Sequence, residues 1–389
     1  MPSSICCCGA SRGNNGSAVK ILYTNFHQND GGGHVTYILH LARALAGRHE
    51  ISIATPAGSR LYRYAADVEG VRRIAQIYTS RAGPMLGEVR RLRALLREGG
   101  FDLIHVNGSA DHRHVMLACL GLRQRPAIVW TKHNDHGIAS LGNRLRARQA
   151  TDHVIAVSDY VAGMIAQSPY AALPRTTIRH GIDTQRFAPP SAEARARARL
   201  ALLGAGHENT IVLGSTGGTN TDKGWFDLLE AVAQLPEADR ARLRIIIAGA
   251  LPDAAKRARV QALGLTDQLV FPGLIDDVLP VLAASDMGFV LSWREALSYA
   301  CREVMAMGLP ALVSDAGGLP ENLEHGREGW IVPVRDSARI LAVLRDVLAA
   351  PACLQTMGRA ARERAAREFS LAGFVAQTQA VYSGLCPTL

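Results

Sequence analysis

Two glutamates, Glu295 and Glu303, stand eight residues apart in the run Ser292-Trp293-Arg294-Glu295-Ala296-Leu297-Ser298-Tyr299-Ala300-Cys301-Arg302-Glu303. The run follows an apolar stretch and opens a helical one. With Glu295 in the strand-to-helix loop and Glu303 about a turn and a half inside the helix, both carboxylates border one ligand above the helix's positive end. The free amides of Leu297 and Ser298 then suit a phosphate. Taken alone, the pair is equally compatible with two solvated glutamates on an exposed helix.

Three further groups could join such a site. Lys223 precedes Gly224 at the end of Gly217-Gly218-Thr219-Asn220-Thr221-Asp222, a place for an ammonium beside a phosphate. The spacing is not that of a P-loop, which disfavours ATP hydrolysis. Gly31, Gly32 and Gly33 let backbone approach a ligand with no Cβ in the way, but they do not fit GxGxxG and support no nicotinamide site. His133 ends an apolar strand in Lys132-His133-Asn134-Asp135-His136. No third and fourth ligand stands at suitable spacing, so no metal is expected there.

The elements that must position these residues are short apolar runs alternating with helical ones. Val19–Tyr23, Ile51–Ala54, Leu103–Val106, Ile128–Thr131 and His153–Val157 read as strands, with a helix from about Val35 to Ala46 after the first glycine turn. The pattern breaks at Phe187-Ala188-Pro189-Pro190-Ser191. It restarts with Ile211–Gly214, Arg244–Ala248, Leu269–Phe271, Gly288–Leu291 and Pro310–Ser314. Such alternation predicts an α/β fold with two parallel, helix-covered sheets. The expected division is a mobile extension over 1–18, a Rossmann-like domain over 19–188 and a second over 189–369. A terminal helix over 370–389 is free to pack back on the first domain. Two Rossmann-like domains facing each other leave a cleft between the carboxyl ends of their sheets, where such sheets bind ligands.

Set in this order, the motifs resemble those of retaining nucleotide-sugar glycosyltransferases of the two-domain GT-B fold, specifically glycosyltransferase family 4. The resemblance runs from Val19 onward. It rests on Gly32-Gly33, Thr131-Lys132-His133, Val157-Ser158, His180-Gly181-Ile182-Asp183 with Phe187, Lys223-Gly224, Phe271-Pro272-Gly273, the Glu-x7-Glu pair and Gly317-Gly318-Leu319-Pro320-Glu321. It implies that Glu295 accepts hydrogen bonds from the donor sugar, Glu303 from both ribose hydroxyls, and that Lys223 neutralises the diphosphate. It also implies that His133 reaches the donor sugar, with Gly32, Gly33, Leu297 and Ser298 at the donor. The implied reaction is glycosyl transfer with retention, with no protein nucleophile, no cofactor and no metal; no Asp-x-Asp occurs in the chain.

The chain departs from the family at three points. Leu297-Ser298 stands where many relatives have Phe-Gly, so Ser298 adds a side chain at the phosphate loop. Gly217 fills a slot usually basic, and His180 replaces an asparagine.

Apolar residues make up 48%, charged residues 20% and aromatics 5% of the 389, a mix that supports a sizeable core and excludes wholesale disorder. Seven cysteines without CxxC pairing point to reduced thiols and a reducing cytoplasm. Residues 1–190 hold 23 Lys+Arg against 12 Asp+Glu, whereas the rest hold 20 against 22, so the excess positive charge is all in the first half. On the segment Leu86–Arg97, Arg90, Arg93 and Arg97 share one helical face and Leu86, Val89, Leu92 and Leu96 another, an arrangement able to rest on anionic lipid. Relatives commonly build lipopolysaccharide, which implies a glycolipid acceptor and a peripheral position at the inner face of a bacterial inner membrane. Two alternatives use other chemistry: a nucleotide-sugar 2-epimerase of the same architecture, and a basic nucleic-acid binder. The second lacks any RRM, KH or zinc-finger signature and the aromatic content for base stacking, so no nucleic-acid partner is expected.

Overall fold

The computed structural model describes residues 18–29 and 31–386. Residues 1–17 of the expected extension, with Cys6, Cys7 and Cys8, lie outside the described residues.

The first sheet contains β1 (Lys20–Thr24), β2 (Glu50–Thr55), β3 (Val71–Ala75), β4 (Leu103–Val106), β5 (Ala127–Lys132), β6 (His153–Ala156) and β7 (Arg175–Thr177). Its order is β3-β2-β1-β4-β5-β6-β7, parallel throughout. The second contains β8 (Ile211–Ser215), β9 (Leu243–Ile247), β10 (Leu269–Val270), β11 (Met287–Val290), β12 (Ala311–Ser314) and β13 (Gly329–Val332), ordered β10-β9-β8-β11-β12-β13 and also parallel. Two Rossmann-like domains thus face each other across a cleft, as the alternation predicts.

The central strands are apolar on both faces because helices cover both: Ile21, Leu22 and Tyr23 of β1 are fully buried, as are Ile245, Ile246 and Ile247 of β9. In each sheet the chain reverses its direction of growth once, between β1 and β4 and between β8 and β11. A crevice opens there at the carboxyl ends, and the site residues stand on the loops that follow these strands.

Three strands were not evident in the sequence, β3, β7 and β13, and all three are sheet edges. An edge strand has neighbours on one side only and tolerates polar residues, so apolar runs do not mark it. Arg72 and Arg73, exposed on β3, are such a case.

The helix Leu371–Leu385 returns to the first domain. Its Phe374, Val375, Val381 and Tyr382 are buried among Ile21, Tyr23 and Tyr37, and the Tyr382 hydroxyl meets His105 Nδ1 at 2.5 Å. The preceding helix, Ala352–Glu368, packs on Tyr299–Ala306 of the second domain. The chain therefore crosses between domains twice, at Ile182 and Ser370, and a parallel bridge joins these two residues. Cys119 and Cys301 are buried free thiols and Cys353 is partly buried, with Cys386 a fourth.

Candidate active site

Gly32, Gly33, His133, Lys223, Glu295, Leu297, Ser298 and Glu303 all line one cavity of about 560 Å3 between the domains. Arg90, Arg93 and Arg97 do not line it.

The second-domain wall is built on the loop after β11. Glu295 lies in that loop, and its Oε2 receives Lys223 Nζ at 3.2 Å and Ser292 Oγ at 3.3 Å. The loop is held from behind by Gly317 and Gly318. A Cβ on Gly317 would stand 2.1 Å from the Glu295 carbonyl oxygen, and one on Gly318 would stand 2.0 Å from that of Ala296, so the late glycine pair is a packing requirement. Glu321 of the same signature does not reach the cavity. It crosses to the first domain, where its carboxylate accepts the amides of Asp159 and Tyr160 at 2.9 and 2.8 Å and pairs with Arg179 at 3.0 Å.

The helix Tyr299–Ala306 starts at the cavity. Its N-cap is Ser298, whose hydroxyl accepts the Cys301 amide at 3.3 Å. The side chain that Ser298 adds at the phosphate loop is thus turned back onto its own helix. Ser298 has φ of 88°, a region that disfavours side chains, which suits the glycine that the family resemblance implies at this position. Two helices present first-turn amides to the cavity, because Gly32–Leu45 also begins there, after Gly31 and Gly32 with φ of 69° and 48°. First-turn amides have no acceptor within their helix. The Val35 start expected from the sequence lies three residues inside this helix, since glycines hide its first turn.

The first-domain wall is a cluster of imidazoles that the spacing of motifs did not reveal. His34 and His133 lie 4.3 Å apart by ring centroids, and His180 stacks on Tyr299 at 4.3 Å and 6°. Burial, reinforced by neighbouring cations and imidazoles, pushes His34 down to about 3 and His40 down to about 4. The same burial holds His133 and His180 well below the usual histidine range. These rings are neutral at pH 7, so each has one nitrogen to donate and one to accept, the pairing an uncharged hydroxyl needs. His34 Nδ1, His40 Nδ1, both ring nitrogens of His180 and the Tyr299 hydroxyl are buried without a protein partner. His180, which stands where the family has an asparagine, is part of this wall.

The tautomer of His133 is fixed from behind. Asn107 Nδ2 donates to the carbonyls of Thr24 and His105 at 3.1 and 3.2 Å, which leaves Oδ1 to face His133 Nε2 at 2.9 Å. His133 Nε2 therefore carries the proton, and Nδ1 is left as an acceptor. Asn107 is set in turn by Asp111, whose Oδ2 accepts the amides of Asn107 and Gly108 and the Thr24 hydroxyl at 3.0, 3.2 and 2.8 Å.

Cross-cleft ion pairs close the rim. Asp276 takes the Tyr64 hydroxyl and faces Arg60 at 3.7 Å, Asp277 pairs with Arg186 at 3.0 Å, and Arg294 pairs with Asp135 at 2.8 Å. Asp135 is thus the first domain's ion-pair partner for Arg294. Among the described residues no cluster of three metal-ligating side chains occurs.

Glu303 stands in the cavity wall with its carboxyl pushed up to about 7 by desolvation, which Arg186 offsets in part. The folded chain then binds a proton that the unfolded chain releases near 4.5, so this group's contribution to stability falls as pH rises from about 4.5 to about 7. Glu303→Gln, neutral at every pH, is expected to stabilise the protein relative to wild type by roughly 1–2 kcal/mol more at pH 8 than at pH 5, measured by denaturant unfolding. An equal difference at both pH values would contradict a raised Glu303. For His133, side-chain 15N NMR is expected to show the Nε2–H form favoured roughly ten to one, the effect of one hydrogen bond of about 1.4 kcal/mol. Asn107→Leu should bring the two tautomers near parity. A dominant Nδ1–H form in wild type would refute the assignment.

Comparison with known proteins gives the arrangement a family. Residues 31–186 match the description of Glycosyltransferase Family 4, and residues 205–364 that of Glycosyl transferases group 1. The chain is 27% identical over 366 residues to the GDP-mannose-dependent alpha-(1-6)-phosphatidylinositol monomannoside mannosyltransferase of Mycolicibacterium smegmatis, covering 88% of this chain and 92% of that one. It is 27% identical over 322 residues to the MMP alpha-(1->4)-mannosyltransferase of Mycolicibacterium hassiacum, covering 77% and 74%. Among solved structures, HepE of Anabaena in complex with UDP superimposes with a TM-score of 0.80 at 21% identity, covering 94% of this chain and all of that one. The chain belongs to the GT-B glycosyltransferases, with a first half of Glycosyltransferase Family 4 and a second half of Glycosyl transferases group 1.

Proposed function

We propose that this glycosyltransferase takes a sugar from a nucleotide-diphosphate donor and transfers it, with retention, to a membrane-associated glycolipid in bacterial surface-glycan assembly, lipopolysaccharide being the foremost case. The observation that carries the donor half is the convergence of Lys223, Glu295, Glu303 and the start of the Tyr299–Ala306 helix on one cavity. The bond from the anomeric carbon to the diphosphate oxygen breaks, and Lys223 with the helix amides stabilises the charge that develops on that oxygen. The acceptor hydroxyl bonds to the anomeric carbon on the same face and passes its proton to the departing phosphate. Glu295 and His133 Nδ1 receive hydroxyls of the transferred sugar, and Glu303 receives the ribose diol. Positive charge for the diphosphate comes from Lys223 and backbone in this reading, so no metal is required. The HepE complex with UDP supports a nucleoside diphosphate in such a cleft, and matches to named transferases along most of the chain disfavour the epimerase.

Support for a lipid acceptor comes from the basic first half and from the mycobacterial relative named for a phosphatidylinositol mannoside. On the helix Ala82–Gly99, Val89, Leu92 and Leu96 are buried, whereas Arg90 and Arg97 are exposed. Two members of the expected faces behave otherwise. Leu86 is 52% exposed, and Arg93 donates to the carbonyls of Ala118 and Leu120, closing the end of the helix Ser109–Cys119. A second basic, apolar face lies on Leu141–Gln149, where Leu141 and Leu145 are 70% and 41% exposed beside exposed Arg144 and Arg148. No single helix among the described residues is long and apolar enough to cross a membrane. In the proposed setting the protein sits peripherally on the cytoplasmic face of the inner membrane.

Calorimetry with UDP-glucose and GDP-mannose tests the donor half: whichever binds wild type should bind Lys223→Ala or Glu303→Ala at least about tenfold more weakly, the loss of one charge-assisted contact. Unchanged affinity in both variants would overturn the assignment. Sedimentation with vesicles containing anionic phospholipid tests the other half. Arg90→Glu with Arg97→Glu, or Leu141→Asn with Leu145→Asn, should reduce vesicle binding several-fold and leave donor affinity intact; full vesicle binding by both pairs would remove the membrane.

A further inference from the structure

A second cavity, about 480 Å3 in volume, lies at the double crossing between domains and shares only His180 with the cleft. Its wall holds four guanidiniums, those of Arg179, Arg302, Arg364 and Arg367, and two carboxylates, Glu321 and Glu368.

The carboxylates near it are already engaged. Glu321 pairs with Arg179 and caps the Asp159–Ala166 helix. Glu368 pairs with Arg364 and Arg367 at 3.1 and 2.7 Å. Just beyond the wall, Asp159 pairs with Arg179, and Glu328 with Arg364 at 3.4 Å.

Arg302 is the exception. It is 1% exposed, its Nε donates to Asn322 Oδ1 at 2.8 Å and its Nη1 to the His180 carbonyl, and its guanidinium lies 4.1 Å over the Phe369 ring. Among the described residues no carboxylate pairs with it, and Nη2 has no partner at all. His180 beside it is also buried, with both ring nitrogens unpartnered. A buried cation without a counter-charge is costly to maintain, and an unmet N–H of such a group is among the costliest of unpaired donors.

We propose that this pocket binds a small oxyanion of the phosphate class, held by Arg302 with Arg364 and Arg367, between the two domains. A tetrahedral anion accepts from several guanidinium N–H groups at once, which is how arginine clusters recognise phosphate. Glu321 and Glu368 in the wall limit the charge tolerated, which selects a monoester or inorganic phosphate over a polyphosphate. The ligand would touch Arg179 and His180 of the first domain and Arg302 and Arg364 of the second. It therefore favours the docked arrangement of the domains and stabilises the fold by mass action.

Thermal unfolding tests this, with sodium chloride replaced by inorganic phosphate or by glycerol 3-phosphate at constant ionic strength. The Lys223→Ala background separates this pocket from the cleft. A shift that survives that substitution and is lost with Arg302→Met comes from this pocket, and one that vanishes with Lys223→Ala comes from the donor site. The expected result is a melting temperature raised by about 2–3 °C at 10 mM of either anion, roughly the mass-action effect of a sub-millimolar site on a chain of this size, in wild type and in Lys223→Ala alike. Arg302→Met in that background should abolish the rise. Arg367→Ala, at an exposed position that leaves folding intact, should weaken apparent affinity about tenfold and decides the matter if Arg302→Met does not fold. A response to phosphate alone would identify the free ion as the ligand, and a stronger response to the ester a phosphorylated metabolite; both outcomes support the pocket. No shift in Lys223→Ala, or an equal shift in Arg302→Met and Arg367→Ala, would overturn it.

Discussion

The cleft depends on where one leucine goes. Leu297, in the middle of the Glu-x7-Glu loop, is 1% exposed and packs with Ala296 into the first domain's apolar cluster, among Val157 and Val161. Burying that side chain is worth about 2 kcal/mol, and it fastens a second-domain loop to the first domain at the place where chemistry is expected. Glu295 on one side of it and Ser298 on the other are then carried into the cavity with little freedom left. The Asn322 side chain holds the Leu297 carbonyl at 2.7 Å, and the Gly318 amide holds that of Glu295 at 3.1 Å. A ligand in the cleft therefore meets a loop whose position is set by packing before it arrives, the condition under which fixed dipoles stabilise charge without reorganising.

The two walls of the cleft are unlike in charge for reasons of burial. On the second-domain side Lys223 and Glu295 stay partly open to the cavity and pair with each other. On the first-domain side four histidines line the cavity, with His180 buried and the other three partly so, and desolvation leaves none of them protonated at neutral pH. The basic excess of the first half thus enters the site through Arg43, Arg60 and Arg186, of which Arg60 and Arg186 face the rim carboxylates of Asp276 and Asp277. Other members stand on outward faces, among them Arg90 and Arg97 on Ala82–Gly99 and Arg144 and Arg148 on Leu141–Gln149.

Sequence patterning made the two sheets legible through their central strands, because strands buried on both faces must be apolar throughout. Three of the four edge strands, β3, β7 and β13, escaped because half their surroundings is solvent or loop, whereas the apolar run Leu269–Phe271 marked the fourth, β10. The glutamates, the lysine and the glycines were legible because motif order reflects loop order at the carboxyl ends of parallel strands. What could not be read was partnership across long sequence separations. Arg93 looked like a surface cation on a helical face, yet its guanidinium closes a neighbouring helix. Glu321 looked like the end of a signature, yet it acts on a helix 160 residues earlier. His34, His40 and His180 had no spacing in common, and only the fold shows that they share a wall. Arg302 was hidden by standing between the two glutamates that drew attention to the segment.

The proposed transfer must deliver the acceptor's proton somewhere, and the electrostatics of the wall narrow the choice. A base is effective when its proton affinity lies near the working pH, and imidazoles pushed down to 3 or 4 retain too little. Glu295 is already the acceptor for Lys223 and Ser292. Glu303 does have the affinity, pushed up to about 7, but in the proposed pose its oxygens face the ribose diol, which makes its ionised form the binding-competent one. The oxygen whose basicity rises as the reaction advances is that of the departing phosphate. A wall of neutral rings suits that arrangement, since an imidazolium beside the reacting carbon would oppose the positive charge that develops on the sugar as the bond to phosphate lengthens.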